Sequence, residues 1–333
     1  MIPNTPPAKK IVFSGVRPTG PAHLGNYVGA FRNWLRLQDD YRCFYSIVAW
    51  HALSSEYASS GGIRENILDV AVDLLSLGLD PAKCVLFAQS DVKEHAELHL
   101  ILSMFIPLPW LERVPTYKEM QQELADKDLN TYGFLGYPVL QTADIILYKA
   151  DVVPVGEDQE AHLELAREVV RRFNRLVAPV FPEPQTLLTD VPRLAGTDGR
   201  KMSKSFGNAI YLKDPPAVIR EKISTMVTDT RRKRRTDRGE PNDCPAFTLH
   251  RAFVAKDRQE ELARGCRTAS IGCLECKKVA IDALLGFLLP YQEKRAGYEK
   301  NPKVVWDILA AGAGRARQAA EKTMAEVRAG LGF

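Results

Sequence analysis

The 333-residue sequence contains no run of 18 or more consecutive apolar residues, which argues against a membrane-spanning helix. Its opening, MIPNTPPAKK, lacks the apolar core an export signal needs, so the cytoplasm is the expected compartment and no membrane partner is expected. Cysteine is scarce: 6 residues are too few for the disulfide framework of a secreted scaffold. No internal repeat or low-complexity tract occurs, which excludes a solenoid. With 22 Gly and 21 Pro, the chain is not collagen-like. What is present, 45% hydrophobic and 26% charged residues, describes a globular chain long enough for about two domains of roughly 150 residues.

A net charge of +4 hides an uneven distribution. Up to residue 190 there are 17 basic and 24 acidic side chains, and beyond it 28 and 17. A basic second half suggests a polyanionic partner there, because Lys and Arg displace the counterions condensed on phosphates.

Short apolar runs at 11–14, 44–49 and 84–88 have strand length, while Ile67, Val70, Ala71, Leu74 and Leu75 keep helical spacing up to a stop at Gly78 and Pro81. Strands separated by helices imply right-handed crossovers and a parallel sheet, with ligands outside the strand carboxyl ends. A Pro-rich stretch over 179–192 and a Gly-punctuated loop over 196–207 lead into a helical second half. The final segment has Asn301 as N-cap and Pro302 at the first helical position, and runs to Gly330. The expected division is a short extension (1–9), an α/β domain (10–192), a junction loop (193–210), a helical domain (211–300) and a C-terminal helix (301–333).

Two loops carry candidate chemistry. After the first strand, residues 14–26 end in His23-Leu24-Gly25-Asn26 and open a helix. Gly25 removes a side chain where a flat ring could pack on backbone, His23 offers an imidazole donor, and a helix N-terminus favours anions. Read alone, this is an ordinary turn. The second loop, Lys201-Met202-Ser203-Lys204-Ser205, places two ammonium groups beside glycines at the junction, where they could gather around a pyrophosphate.

Cys244, Cys266, Cys273 and Cys276 crowd into one stretch, and four thiolates can close a tetrahedral site. Spacing leaves structural zinc and a [4Fe-4S] cluster both open, with zinc slightly favoured. Cys43 and Cys84 lie in apparent strands and read as core. Residues 231–238 hold six cations, either a solvated run or a phosphate-binding segment.

Taken together, His23-Leu24-Gly25-Asn26 and Lys201-Met202-Ser203-Lys204-Ser205 resemble the HIGH and KMSKS signatures of class I aminoacyl-tRNA synthetases. The segments 14–26, 137–144 and 153–159 are similar, within that class, to tryptophanyl-tRNA synthetases, and the similarity covers almost the whole chain. The resemblance implies a Rossmann-like, doubly wound parallel sheet of HUP type carrying the catalytic domain, followed by an all-α anticodon-binding domain. It implies activation of L-tryptophan by ATP with Mg2+, transfer to tRNA(Trp), and a homodimer.

By resemblance, His23, Lys201 and Lys204 are catalytic. Arg17, Pro18, Thr19, Gly25, Asn26, Lys118, Gly156, Glu157, Asp158, Met202, Ser203 and Ser205 join the two lysines around ATP. Phe13, Val48, His51, Tyr137, Gln141, Asp144, Val153, Val155 and Gln159 form the tryptophan pocket. In it Asp144 accepts the indole N–H, Phe13 and His51 flank the ring, and Tyr137 and Gln159 hold the ammonium. Resemblance of the flanks at 265–278 turns the metal preference from zinc to [4Fe-4S]. Two residues depart from the pattern: Asn26 stands where the class name has His, and Gln141 where many bacterial relatives have Met. The rivals are a tyrosyl-tRNA synthetase, which shares both signatures, and an RNA-binding iron-sulfur protein that kept the fold without catalysis.

Overall fold

The computed structural model describes residues 9–114, 129–156, 159–188 and 194–333. Five strands, β1 (Ile11–Val16), β2 (Arg42–Ile47), β3 (Cys84–Ala88), β4 (Val152–Val155) and β5 (Gln185–Leu188), form one parallel sheet in the order β3-β2-β1-β4-β5. The order reverses between β1 and β4, so a crevice opens beyond their carboxyl ends. Every residue of β3 is buried, as a strand covered by helices on both faces requires.

After β1 the chain enters α1 (Leu24–Asn26), passes through a π-helical turn (Tyr27–Phe31) and continues as α2 (Arg32–Asp40). Next come α3 (Ala49–Glu56) and α4 (Ile63–Leu77). As the apolar spacing predicts, Ile67, Val70, Ala71, Leu74 and Leu75 are buried, and Gly78, at φ +109°, ends α4 in the left-handed conformation that glycine adopts at least cost. The helices α5 (Glu94–Ser103), α6 (Leu108–Glu112), α7 (Tyr132–Leu135), α8 (Tyr137–Ile146) and α9 (Glu160–Leu176) complete the α/β half.

The second half is helical: α10 (Pro216–Thr225), α11 (Phe247–Phe253), α12 (Lys256–Thr268), α13 (Cys273–Lys300) and α14 (Pro302–Leu331). One apolar cluster runs across both halves, joining Leu24, Val70 and Leu86 to Ile210, Leu284 and Leu309. The last helix returns to the sheet and packs on β3 so closely that a Cβ at Gly312 would lie 1.8 Å from the Leu86 carbonyl oxygen. Its ends differ from expectation in two respects. Asn301 makes no side-chain capping bond, and the left-handed stop is Gly332 (φ +81°), beyond Gly330. Among the described residues no helix is long and apolar enough to cross a membrane.

Candidate functional site

The first loop is organised by its own residues. The His23 Nδ1 accepts the Asn26 N–H (3.3 Å), and the Asn26 Oδ1 accepts the His23 N–H (3.0 Å), a reciprocal cap on α1. A Cβ on Gly25 would stand 2.9 Å from the His23 ring, so glycine is required by the imidazole. The sequence reading gave Gly25 and Asn26 to the nucleotide; here Gly25 makes room for His23 and the Asn26 side-chain oxygen serves the cap. Burial, with Lys204 nearby, lowers the His23 imidazole to about 4, leaving it neutral at pH 7. Upstream, Pro18 is buried, and Arg17 donates to the Ser55 hydroxyl while its buried Nε has no partner among the described residues.

The second loop lies against the first. Leu24 N–H donates to the Ile210 carbonyl (2.9 Å), and Leu212 N–H to the Ala22 carbonyl (3.0 Å), which seats the chain beyond Lys204 beside His23. Asn208, 2% exposed, braces the loop from inside: its oxygen accepts the Ser203 N–H and its amide donates to Asp198 and to the Lys201 carbonyl. The Lys204 ammonium donates to the Gly20 carbonyl at 2.8 Å. Burial lowers Lys204 to about 8, against the upward pull of Asp73 and Asp69.

Between the loops lies a cleft of about 200 Å³, walled by Arg17, Thr19, His23 and Asn26 on one side and Ser203, Lys204 and Ser205 on the other. Among the expected members, Pro18 and Gly25 of the first loop and Lys201 and Met202 of the second are not in its wall. Lys201 is exposed, with its backbone bridged to Ala195, and Met202 is 4% exposed, packed into the apolar core beneath the loop. The loop thus separates the two lysines, with Lys204 in the cleft wall and Lys201 outside it. Gly156 follows β4 at the sheet's carboxyl edge. Lys118, Glu157 and Asp158 lie outside the described residues.

A second polar centre is built on α8, where Tyr137, Gln141 and Asp144 follow at helical spacing and share a face. Asp144 is 1% exposed. A carboxylate only accepts, so the donors are Gln89 Nε2 (2.8 Å to both oxygens), His95 Nδ1 (2.7 Å) and His51 Nε2 (3.1 Å). The remaining His95 nitrogen accepts the Tyr148 hydroxyl at 2.7 Å, which fixes the tautomer. Burial pushes Asp144 up, but His95 and His51 more than compensate and hold it at about 2.

Tyr137 donates its hydroxyl to His162 Nε2 at 2.6 Å, and His162 Nδ1–H donates to Gln159 Oε1 at 3.0 Å. Gln141 is partly buried. The His51 and Tyr137 rings meet edge to face at 6.3 Å. Phe13, Val48, Val153 and Val155 are buried, and Phe13 stacks on Tyr148 at 5.6 Å. Sequence reasoning missed Gln89, His95, His162, Tyr148 and Asn208. Single buried polar residues have no local pattern, and the Asp144 partners Gln89 and His95 are distant in the chain.

The four cysteines of the second half share a neighbourhood. Burial and the other three thiols raise Cys276 to about 12, and burial also raises Cys266. All four are free, and among the described residues no three His, Cys, Asp or Glu side chains converge as a metal would require. The expected closed ligand set is therefore not formed here; the thiols are near one another without converging. Arg232 reaches into this region, donating to Cys266 Sγ (3.8 Å) and to the Ile271 carbonyl (2.9 Å). Arg231 pairs with Asp229 and Asp243, and Arg235 with Glu275. Of the six cations in this run, only Arg231 and Arg235 form ion pairs among the described residues; Arg232 is engaged by Cys266 and backbone carbonyls, and Lys233, Arg234 and Arg238 have no side-chain ion pair there. Cys43 and Cys84 are buried neighbours across β2 and β3, as a core reading expects.

Comparison with known proteins places these features in a family. The model for tRNA synthetases class I (W and Y) matches residues 6–288. The tryptophan–tRNA ligase of Thermotoga maritima is 49% identical over 319 residues, covering 95% of this chain and 97% of the relative. That of Ralstonia nicotianae is 41% identical, covering 97% and 98%. A crystal structure of Campylobacter jejuni tryptophanyl-tRNA synthetase complexed with ADP and tryptophan superposes with TM-score 0.86 at 32% identity, covering 97% and 100%. A tyrosyl-tRNA synthetase from Archaeoglobus fulgidus, at 22% identity and TM-score 0.67, shares the fold alone.

Proposed function

This chain belongs to the class I tryptophan–tRNA ligases, and on that premise we propose how its residues divide the reaction. The tryptophan carboxylate attacks the α-phosphate of ATP, and pyrophosphate leaves. The terminal ribose hydroxyl of tRNA(Trp) then takes the acyl group from tryptophanyl-adenylate, and AMP leaves. No side-chain nucleophile is needed, so catalysis rests on positioning and charge stabilisation.

The observation that carries the assignment is Lys204 bound to the Gly20 carbonyl, which closes one signature loop on the other across 184 residues of chain. ATP would enter between these loops, with Arg17, Thr19, His23 and Ser203 meeting its phosphates and Gly156, Glu157 and Asp158 its adenosine. The orphaned Arg17 Nε supplies an unused donor there. The cleft of about 200 Å³ would take the phosphate end of the nucleotide, and Lys204 would exchange the Gly20 carbonyl for phosphate oxygen. Lys204 then holds the pyrophosphate as its charge develops, and Lys201, exposed in the closed loop, joins it when the loop moves. Mg2+ travels with ATP, held by phosphate oxygens and water, and no protein ligand is assigned to it.

Tryptophan would lie against α8. A carboxylate has about four acceptor positions. Three side chains make four contacts with Asp144, so the indole N–H would take the place of one of the two Gln89 contacts. An amino acid without that donor leaves a buried charge less satisfied, and such sites reject it by about 10⁴-fold. His162 orients the ammonium site: it accepts the Tyr137 hydroxyl hydrogen bond and donates to Gln159, setting both oxygens to act as acceptors toward a ligand with three donors. His51 and Tyr137 wall the ring.

The helical half, 211–300, would take the tRNA anticodon, with Lys233, Arg234 and Arg238 on phosphates. Cys244, Cys266, Cys273 and Cys276 would hold a [4Fe-4S] cluster, with zinc as the alternative, and the group would staple α12 to α13. Mutual elevation of the thiols supports the shared location. Absorption after anaerobic purification decides: a colourless protein with stoichiometric zinc would defeat the cluster. The exposed Leu100, Met104 and Leu108 on α5, its following turn and α6 support a homodimer across that face. The proposed compartment is the cytoplasm. Exchange of ATP with pyrophosphate in the presence of each of the twenty amino acids tests the substrate: tryptophan alone should support it, followed by charging of tRNA(Trp).

A further inference from the structure

The residue before His23 is held from outside its own loop. The Ala22 N–H donates to Asp73 Oδ2 at 3.2 Å, and Asp73, on α4, is 1% exposed. Its other oxygen accepts the Tyr291 hydroxyl and the Arg295 guanidinium. Arg295 also binds Asp69, and donates to Glu299 at 2.9 Å; Lys213 reaches Asp69 at 3.1 Å. Asp69 and Asp73 are one turn apart on α4, as are Tyr291 and Arg295 on α13, so two helix faces meet through four side chains.

Three features separate this cluster from routine packing. Arg295 is 5% and Tyr291 3% exposed, and replacing such a buried ionic group by apolar residues is often neutral or stabilising, so stability alone does not explain it. Its bond to backbone falls beside His23, and Asp69 and Asp73 also act on Lys204, across the same cleft. Finally, α13 is a single helix of 28 residues, about 42 Å long, with Cys273 and Cys276 in its first turn and Tyr291 and Arg295 near its end.

We propose that Tyr291 and Arg295 are positioning residues for the ATP half of the reaction: through Asp73 they fix the Ala22–His23 backbone and the charge facing Lys204, so the helical half sets the geometry of nucleotide binding. This rests on the reading that the cleft between the two signature loops takes ATP.

The test uses the full chain and tryptophan-dependent exchange of ATP with pyrophosphate. Tyr291→Phe removes one hydroxyl and keeps the ring. It should raise KM for ATP about three- to tenfold, leave KM for tryptophan within about twofold, and leave Tm nearly unchanged. The double variant Asp73→Asn with Tyr291→Phe should lose little more than the worse single variant, since both cut one path. Arg295→Lys, which keeps the charge and loses the fork, should show the same split; if it does not fold, Tyr291→Phe decides. Equal rises in both KM values, full additivity, or a fall in Tm with both KM values unchanged would overturn the proposal. Absence of exchange in the wild-type protein would instead sink the reading of the cleft.

Discussion

Asp144 and Asp73 are both 1% exposed, and their environments push them in opposite directions. Burial raises both, but His95 and His51 draw Asp144 down to about 2, whereas Asp73, despite Arg295 and Tyr291, stays up at about 6 beside Asp69. Burial alone therefore does not set the charge of an interior carboxylate; the signs and number of its neighbours do. At the end we propose for tryptophan, the surrounding donors maintain a fixed negative charge that can exchange a Gln89 contact for another N–H. At the ATP end a shared cation, a phenol and a second carboxylate hold a backbone segment in place. On the proposed division, one centre recognises tryptophan and the other aligns the ATP loop.

The contrast can be broken at either end, beginning with the largest effect. Asp144→Asn should lower kcat/KM for tryptophan about 100-fold in the exchange assay, the scale of a lost hydrogen bond to charge, with KM for ATP within about twofold. His95→Gln should cost about tenfold, again on the tryptophan side, by loosening Asp144. Asp73→Asn should act on ATP instead, raising its KM about threefold to tenfold.

Stability against pH sharpens the same comparison. Asp144, depressed on folding, contributes stability that is present above about 4 and lost as pH falls through about 2. Asp73, raised on folding, does the reverse: the wild type gains on acidification from about 6 toward about 4. Denaturant titrations at several pH values should show the wild-type advantage over Asp144→Asn shrinking below pH 4, and that over Asp73→Asn growing between pH 6 and 4. The smallest effect concerns Lys204, held at about 8 by burial with Asp73 and Asp69 opposing it and Lys213 adding to it. kcat/KM for ATP should fall above about pH 8, and Asp73→Asn should move that limb to lower pH.

Much of this was legible in the sequence. The 11–14, 44–49 and 84–88 runs appear as β1, β2 and β3, and the two signature loops meet across one cleft because the parallel topology brings loops to the same edge. Asp144 could be picked out because it lies at helical spacing from Tyr137 within a recognisable segment. Its supports could not: His95 is 49 and Gln89 55 residues away, and locally His95 reads as one polar residue among charged neighbours and Gln89 as the polar end of a strand. Tyr291, 218 residues from Asp73, is farther still. Local pattern also showed only part of the reasons. Gly25, read as room for a nucleotide, also gives room to the His23 ring, and the six-cation run is half spent on neighbouring carboxylates and Cys266.

The central claim is that one buried carboxylate serves tryptophan and the other serves ATP. Its most direct test is the pair of KM values in wild type, Asp144→Asn and Asp73→Asn under saturating co-substrate. The account predicts that the first variant weakens tryptophan and spares ATP, and that the second weakens ATP and spares tryptophan. Proportional loss of both substrates in both variants would contradict it.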